Sequence, residues 1–387
     1  MKKFDYRYLL LIVLSSALLL YVWFDSNRRR RLENHYRQAR QKEKTGDAAG
    51  ALEEYHHAVE AAPGKSVPYG KRGNFHFARQ EYRLALADYD RALTLDRNAT
   101  VLYFNRGMVR AALEDFAGAA ADFTRTIELS PLNFDAFYYR AVVRVEQGDW
   151  RGAAADAREV LSFRKQDARA YYILGYALSE MGQEKTAEEA LLASIRFAPD
   201  YAYPYCSLGA LKSGQGDLPG ALQALETALR LKPDFSRAYF VRGQVREKLK
   251  EPDAALLDYD RAIELNPDRN FDYYYRRGDL KYRQGDLIGA IIDYDRIAYL
   301  KPDAVRAYIG RANVKNALGE YENALADLNK ALELDPRHGQ AYYLRSRVLA
   351  RLERTAEAIA DGVKFLERTP DDPAGREWLR QLRKKAD

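Results

Sequence analysis

Apolar side chains recur at helical spacing through residues 305–338, in two short runs that a Leu-Gly turn signal separates. Two helices of this length cannot bury their apolar faces alone, so such a unit must pack against copies of itself. The pattern therefore predicts a helical hairpin within a repeating array. The positions that define it are Tyr308, Ala312, Leu318, Gly319, Tyr321, Ala324, Leu328, Ala331 and Pro336.

The same pattern occurs ten times between residues 32 and 372, with a period of 34 residues and one extra residue near Asn270. We therefore predict an all-α fold, an α-solenoid of about ten stacked helical hairpins. The predicted repeats begin at Leu32, Ser66, Thr100, Phe134, Ala168, Ala202, Ser236, Phe271, Val305 and Gly339.

Particular residue types keep the same position in the repeats. Position 4 is aromatic in nine repeats, position 8 is always small, position 15 is glycine in six, and position 20 is always alanine. Proline at position 32 of eight repeats ends the second helix. Small residues at positions 8 and 20 allow the two helices of a hairpin to approach closely.

This set of positions resembles the tetratricopeptide repeat, and the resemblance covers residues 32–372. It implies helix–turn–helix units, here called helix A and helix B, and a groove lined by helix A at positions 2, 5, 9, 12 and 13. A final amphipathic segment, residues 374–385, resembles the capping helix that closes such arrays, and we assign residues 373–387 to it.

Many groove positions of repeats 2 to 5 are apolar or aromatic, whereas later repeats carry more charged residues there, as at Glu247 and Lys248. An apolar surface open to water indicates a partner, so we predict a groove for an amphipathic or extended peptide. Two alternatives stay open: aromatic residues at position 5 serve packing, or the patch mediates self-association. The predicted groove residues are Phe77, Val101, Phe104, Met108, Tyr138, Val142, Val145, Tyr172 and Tyr176.

Positions 7 and 23 vary together among the repeats. Seven repeats combine arginine with aspartate, whereas the two with leucine at position 7, Leu174 and Leu208, have alanine at position 23. We predict a structural ion pair between helices A and B of each of the seven. The pairs are Arg72 with Asp88, Arg106 with Asp122, Arg140 with Asp156, Arg242 with Asp258, Arg277 with Asp293, Arg311 with Asp327, and Arg345 with Asp361.

An uncharged run precedes the repeats at residues 8–24, and aromatic residues stand near both of its ends. Its 17 residues predict a single transmembrane helix within an anchor segment, residues 1–31. Four arginines at residues 28–31 favour repeats on the cytoplasmic side, whereas Lys2 and Lys3 also suit the opposite orientation.

The remaining sequence features do not indicate a catalytic or metal-binding site. One cysteine excludes an intramolecular disulfide framework, the five histidines show no metal-binding spacing, and no phosphate-binding loop is present. Much of the net charge of +6 lies at the two ends, which argues against a nucleic-acid surface.

We therefore predict a membrane-anchored scaffold with no enzymatic activity and no cofactor or metal. Its expected partners are other proteins or peptides, together with the lipid bilayer that the N-terminal helix enters. The alternatives are an extracytoplasmic adaptor for envelope assembly or chaperone-like work, and a self-assembling structural protein that forms homo-oligomers.

Overall fold

The computed structural model describes the backbone of residues 6–267 and 270–386, and the side chains of residue 23 and of residues 25–267 and 270–386. Every regular element in these residues is an α-helix, which confirms the all-α prediction. The helices form two compact units, Met1–Phe197 and Ala198–Asp387.

Unit 1 consists of helical hairpins in which each helix A packs against the following helix B. Its helices are α1 Tyr6–Lys44, α2 Ala48–Ala61, α3 Ser66–Ala78, α4 Tyr82–Leu95, α5 Thr100–Ala112, α6 Phe116–Leu129, α7 Phe134–Glu146, α8 Trp150–Phe163, α9 Ala168–Glu180 and α10 Glu184–Phe197.

Unit 2 repeats this arrangement and ends with an additional helix. Its helices are α11 Ala202–Gln215, α12 Leu218–Leu231, α13 Ser236–Lys248, α14 Pro252–Leu265, α15 Phe271–Gln284, α16 Leu287–Leu300, α17 Val305–Ala317, α18 Tyr321–Leu334, α19 Gly339–Arg351, α20 Thr355–Arg368 and α21 Pro373–Ala386.

The N-terminal helix α1 is 39 residues long and passes through Leu32, the predicted start of the first repeat, without a break. Apart from Trp23, the side chains of the uncharged run, residues 8–24, lie outside the described residues. Among the helices as far as they are described, none combines the length and the apolar composition that crossing a bilayer requires. The transmembrane anchor gains no support here and stays a prediction.

The turn inside each hairpin requires a left-handed backbone at position 15. All ten residues at this position have φ between 59° and 86°. Six are glycines, which adopt this conformation without strain, and the other four carry a side chain that disfavours it. The four are Gln80, Glu114, Lys250 and Glu353.

Replacing Glu114 with glycine is expected to raise the free energy of unfolding by about 1 kcal/mol. Glu114 is exposed and has a φ of 62°, so the substitution relieves backbone strain without removing packing. The matched opposite change is Gly216→Ala, because an added Cβ there would meet no heavy atom within 4 Å. Denaturant unfolding should show opposite shifts for the two variants, and shifts of one sign would contradict the explanation.

Five of the helices B begin with a side-chain cap. The aspartate before each of these five helices accepts a hydrogen bond of 2.9 Å from the backbone N–H of a glycine three residues later. This bond satisfies a donor that the first turn of a helix leaves free. The capping residues are Asp47, Asp115, Asp149, Asp217 and Asp286.

Position 8 must be small because it faces the large side chain at position 24. A Cβ on Gly107 would lie 2.9 Å from the ring of Phe123, and one on Gly243 would lie 2.6 Å from the ring of Tyr259. Both rings are fully buried. The close contact between helices A and B therefore depends on the missing side chain.

The last helix, α21, covers the end of unit 2. Leu379 and Leu382 are buried, and Trp378 Nε1 donates a hydrogen bond of 2.9 Å to Ser346 Oγ. Gly362 occupies position 24, where other repeats carry a larger residue, and a Cβ there would lie 3.3 Å from Leu379. The glycine leaves room for the side chain of the capping helix.

Candidate functional site

The nine predicted groove residues lie on four helices A of unit 1, namely α3, α5, α7 and α9. Val101 is 67% exposed, and the other eight are half-buried. We call this set of nine residues the aromatic face. Each of the eight half-buried side chains uses part of its surface for packing and leaves the remainder accessible.

Phe104 occupies the centre of the aromatic face on α5. Its ring centroid lies 5.7 Å from that of the buried Phe123 and 5.6 Å from that of Tyr139, both in edge-to-face geometry. Met108 packs into the same cluster. Such aromatic pairs contribute about 0.5–1.5 kcal/mol each beyond their buried area, so the ring is held in a defined position.

A second aromatic group lies on α7 and α9. Tyr138, Val142, Val145 and Tyr172 pack against one core cluster together with Trp150. The rings of Tyr172 and Tyr176 stack with a centroid separation of 6.2 Å.

Two further contacts involve residues of the aromatic face. The Arg169 guanidinium lies 4.7 Å above the Tyr138 ring, within range of a cation–π interaction. Phe77 packs away from these groups, 6.0 Å from the ring of Tyr82.

Three supporting aromatic residues were absent from the predicted set. The ring of Phe123 packs against that of Phe104, and the ring of Tyr139 contacts those of both Phe104 and Tyr138. The rings of Trp150 and Tyr176 meet edge to face, with their centroids 5.9 Å apart. Phe123 occupies position 24, whose aromatic character the repeat pattern already shows. Trp150 occupies position 17, where Tyr321 also belongs to the repeat pattern, whereas Tyr139 occupies a position with no common residue type, so only the packing identifies it.

The structure brings together the two members of all seven predicted ion pairs. Each arginine contacts both carboxylate oxygens of its aspartate, and the aspartates are 0–5% exposed. The hydrogen bond to Asp327 holds the pKa of the Arg311 guanidinium above its usual value, against the opposing effect of burial. Paired contacts of this kind fix the geometry of both side chains.

A second cation, at position 11, completes the network in five repeats. Arg110 Nη1, for example, donates to Asp122 Oδ2 at 2.8 Å, and Lys315 Nζ donates to Asp327 Oδ2 at 2.8 Å. The same position holds Arg144, Arg246 and Lys281 in three other repeats. Position 11 was not among the predicted site positions, although its basic residues accompany five of the seven arginine–aspartate pairs.

The arginine at position 7 also joins neighbouring hairpins. Its second terminal nitrogen reaches residue 25 of the preceding repeat, as between Arg106 and Asp90 at 2.7 Å and between Arg345 and Asn329 at 2.8 Å. Asp260 and Asp295 serve Arg277 and Arg311 in the same way. The network therefore stabilises the stacking of repeats as well as each hairpin.

Unit 2 presents a different surface on its helices A. Unit 1 has a cleft of about 460 Å³ that Glu43 and Lys71 help to line. Unit 2 has a cleft of about 430 Å³, whose lining residues include more basic side chains than those of the cleft in unit 1. Among the residues that line the cleft of unit 2, Lys248 donates to the buried Ser213, and Arg283 pairs with Glu247. Arg276 is exposed at its edge. The lining is Ala210, Ser213, Gly214, Val241, Gln244, Glu247, Lys248, Arg276 and Arg283.

The single cysteine offers no reactive thiol. Cys206 is 2% exposed, and burial raises its pKa to about 12. A thiol of this kind stays protonated at neutral pH, so it is a poor nucleophile and a poor metal ligand.

Comparison with known families matches most of the repeat region. One model described as tetratricopeptide repeat matches residues 104–162, 207–270, 252–305 and 309–373, and a second with the same description matches residues 168–201. Among curated proteins, none matches this chain.

Several solved structures share the architecture. A tetratricopeptide repeat protein from Parabacteroides merdae ATCC 43184 is 18% identical, with a TM-score of 0.54 over 61% of this chain and 94% of that one. The APC/C hetero-tetramer Cut9-Hcn1 is 14% identical, with a TM-score of 0.54 over 92% of this chain and 85% of that one. YrrB, a TPR protein with an unusual peptide-binding site, is 25% identical, with a TM-score of 0.42 over 48% and 95%.

Proposed function

Because this chain belongs to the tetratricopeptide repeat family, we propose that it is a non-catalytic scaffold that binds segments of other proteins on the aromatic face. The observation that supports this most strongly is the combination of half-burial and aromatic packing on four neighbouring helices A. The rings are held in place by residues beneath them, yet part of each remains accessible. A rigid surface of this kind binds a ligand at a low entropic cost.

The chemistry of the aromatic face favours a segment with large apolar side chains. Val101 is 67% exposed, and Val67, at the same position of the preceding repeat, is 56% exposed. Neither residue supports the buried core, so a partner that covers them gains hydrophobic energy of about 25 cal/mol per Å². An extended or helical segment with two or more apolar anchors fits this surface.

The cleft of unit 2 favours a segment of different chemistry. Lys248, Arg276 and Arg283 place three cations around it, against one carboxylate from Glu247. A segment that carries carboxylates complements these charges. We therefore expect the two units to select different peptides, apolar for unit 1 and acidic for unit 2.

Selection from a displayed peptide library by the full-length protein tests this function. We expect two classes of ligand, one rich in apolar residues and one rich in Asp and Glu. Val101→Asp combined with Met108→Asp should weaken the apolar class at least about tenfold, or about 1.4 kcal/mol. Arg276→Glu should weaken the acidic class alone.

The matched control is Ile292→Asp, because Ile292 is 60% exposed but lies on a helix B of unit 2. It should leave both classes unchanged. Equal binding of apolar peptides by the wild type and the Val101/Met108 variant would refute the proposed role of the aromatic face. Sedimentation over a range of concentrations tests the self-association alternative, which requires oligomers that this variant lacks.

A further inference from the structure

The first repeat departs from the others at four positions that lie close together. It has His35 at position 4, where nine repeats have an aromatic residue, and Gln38 at position 7, where seven have arginine. Glu54 replaces the aspartate at position 23, and His57 stands at position 26, where six repeats have arginine or lysine. Two of the changes introduce imidazoles, the third keeps a carboxylate on a longer side chain, and the fourth removes the arginine that pairs with that carboxylate in other repeats.

The geometry of the other repeats explains why these residues meet. In repeat 10, Lys364 at position 26 lies 5.4 Å from the ring of Tyr342 at position 4. In repeat 2, Arg91 lies 5.9 Å from the ring of Tyr69. In the first repeat the same contact joins two imidazoles, and the ring centroids of His35 and His57 are 5.5 Å apart.

The carboxylate completes the cluster from helix B. His35 Nδ1 lies 2.8 Å from Glu54 Oε2, and potential ligand atoms of His35, Glu54 and His57 all lie within 4.8 Å of one another. The Glu54 side chain is 11% exposed and that of His35 is 27% exposed, whereas His57 is exposed. The cluster is therefore anchored in the hairpin and open to solvent on one side, which gives an ion a path of entry.

We propose that His35, Glu54 and His57 form a binding site for a divalent transition-metal ion of the zinc class. Two imidazoles and one carboxylate suit Zn²⁺, Co²⁺ and Ni²⁺, whereas Mg²⁺ and Ca²⁺ prefer oxygen ligands. The ion would join α1, which carries His35, to α2, which carries the other two ligands. It would thereby strengthen the first hairpin of unit 1.

Neighbouring side chains support the carboxylate. Lys42 Nζ donates to Glu54 Oε1 at 2.9 Å and leaves Oε2 on the side of His35. The Gln38 amide, oriented with its nitrogen towards Glu54, donates to the same carboxylate. Contacts of this kind orient a metal-binding carboxylate.

Titration of the untagged full-length protein with Zn²⁺ by calorimetry, and with Co²⁺ by visible absorption, tests the proposal. We expect one ion per chain and a Co²⁺ spectrum typical of mixed nitrogen and oxygen ligands. The variants His57→Arg and His35→Tyr introduce residues that other repeats carry at these positions, so the hairpin should still fold. Each should weaken binding at least about tenfold.

Two controls separate this site from adventitious binding. His56→Ala removes the neighbouring histidine, which does not belong to the cluster, and His338→Ala removes one from unit 2. Both should bind as the wild type does. Zn²⁺ should also raise the melting temperature of the wild type but not of His57→Arg. The absence of binding to the wild type, or equal binding by His57→Arg, would show that the cluster is only a hydrogen-bonded group.

Discussion

Replacing Asp293 with alanine is expected to lower the free energy of unfolding by about 3–5 kcal/mol. Asp293 is fully buried and accepts hydrogen bonds from Arg277, and Lys281 Nζ lies 3.3 Å from its second oxygen. The two cations are only 15% and 18% exposed. Without the carboxylate they would remain poorly solvated and close to each other.

Urea unfolding of the full-length protein measures this decrease in the free energy of unfolding. An exposed ion pair in unit 2 provides the control. Glu357 pairs with Arg354 at 2.7 Å, but both side chains are largely exposed, so Glu357→Ala should cost less than about 1 kcal/mol. Similar losses for Asp293→Ala and Glu357→Ala would show that burial does not strengthen the network.

A double-mutant cycle on Arg311 and Asp327 isolates the pair itself. Repeats 5 and 6 replace the pair with Leu174 and Ala190, and with Leu208 and Ala224, so the apolar combination is compatible with the fold. We expect Arg311→Leu with Asp327→Ala to cost less than the sum of the single changes. Strict additivity would contradict a direct interaction.

Replacing Phe123 with alanine is expected to destabilise unit 1 by about 3–5 kcal/mol and to weaken binding by the aromatic face. Phe123 is fully buried, faces Gly107, and lies beneath Phe104 and Tyr139. A cavity at this point removes the support that holds both rings. Binding of apolar peptides should therefore decrease even at temperatures where the variant remains folded.

Thermal unfolding and peptide titration of the same samples measure the two effects. Phe163→Ala is the control, because Phe163 is 61% exposed and contacts Phe134 at a ring separation of 4.3 Å. It should change stability by less than about 1 kcal/mol and leave peptide binding unchanged. Unaltered peptide binding by folded Phe123→Ala would show that the aromatic face does not depend on the buried ring.

Much of the architecture follows from periodicity. Nine of the ten predicted repeat starts coincide with the first residue of a helix A, from Ser66 to Gly339. Paired variation between positions 7 and 23 likewise identified residues that contact each other across a hairpin. Both deductions are possible because an array repeats one local geometry, so the repeats of a single chain can be compared with one another.

Other features of the structure do not follow from the repeat positions. Glu114 and Lys250 share position 15 with six glycines, but neither residue type by itself indicates the φ values of 62° and 64° that they adopt. The contact between Arg106 and Asp90 joins one repeat to the preceding one, and the pattern within a single repeat does not indicate it. The histidine cluster was missed because His35 and His57 lie on different helices, 22 residues apart in the chain.

The sequence by itself determined the helical hairpins and their number, because periodicity dictates which faces must be buried. It also determined the pairs of charges inside them, because positions 7 and 23 vary together among the repeats. Only the tertiary structure decided how far each side chain remains accessible and which groups from different helices converge. Accessibility depends on the neighbours above and below a residue, as Phe123 and Tyr139 show for Phe104. Convergence depends on helix packing, which placed His35, Glu54 and His57 together although their spacing in the chain does not indicate it.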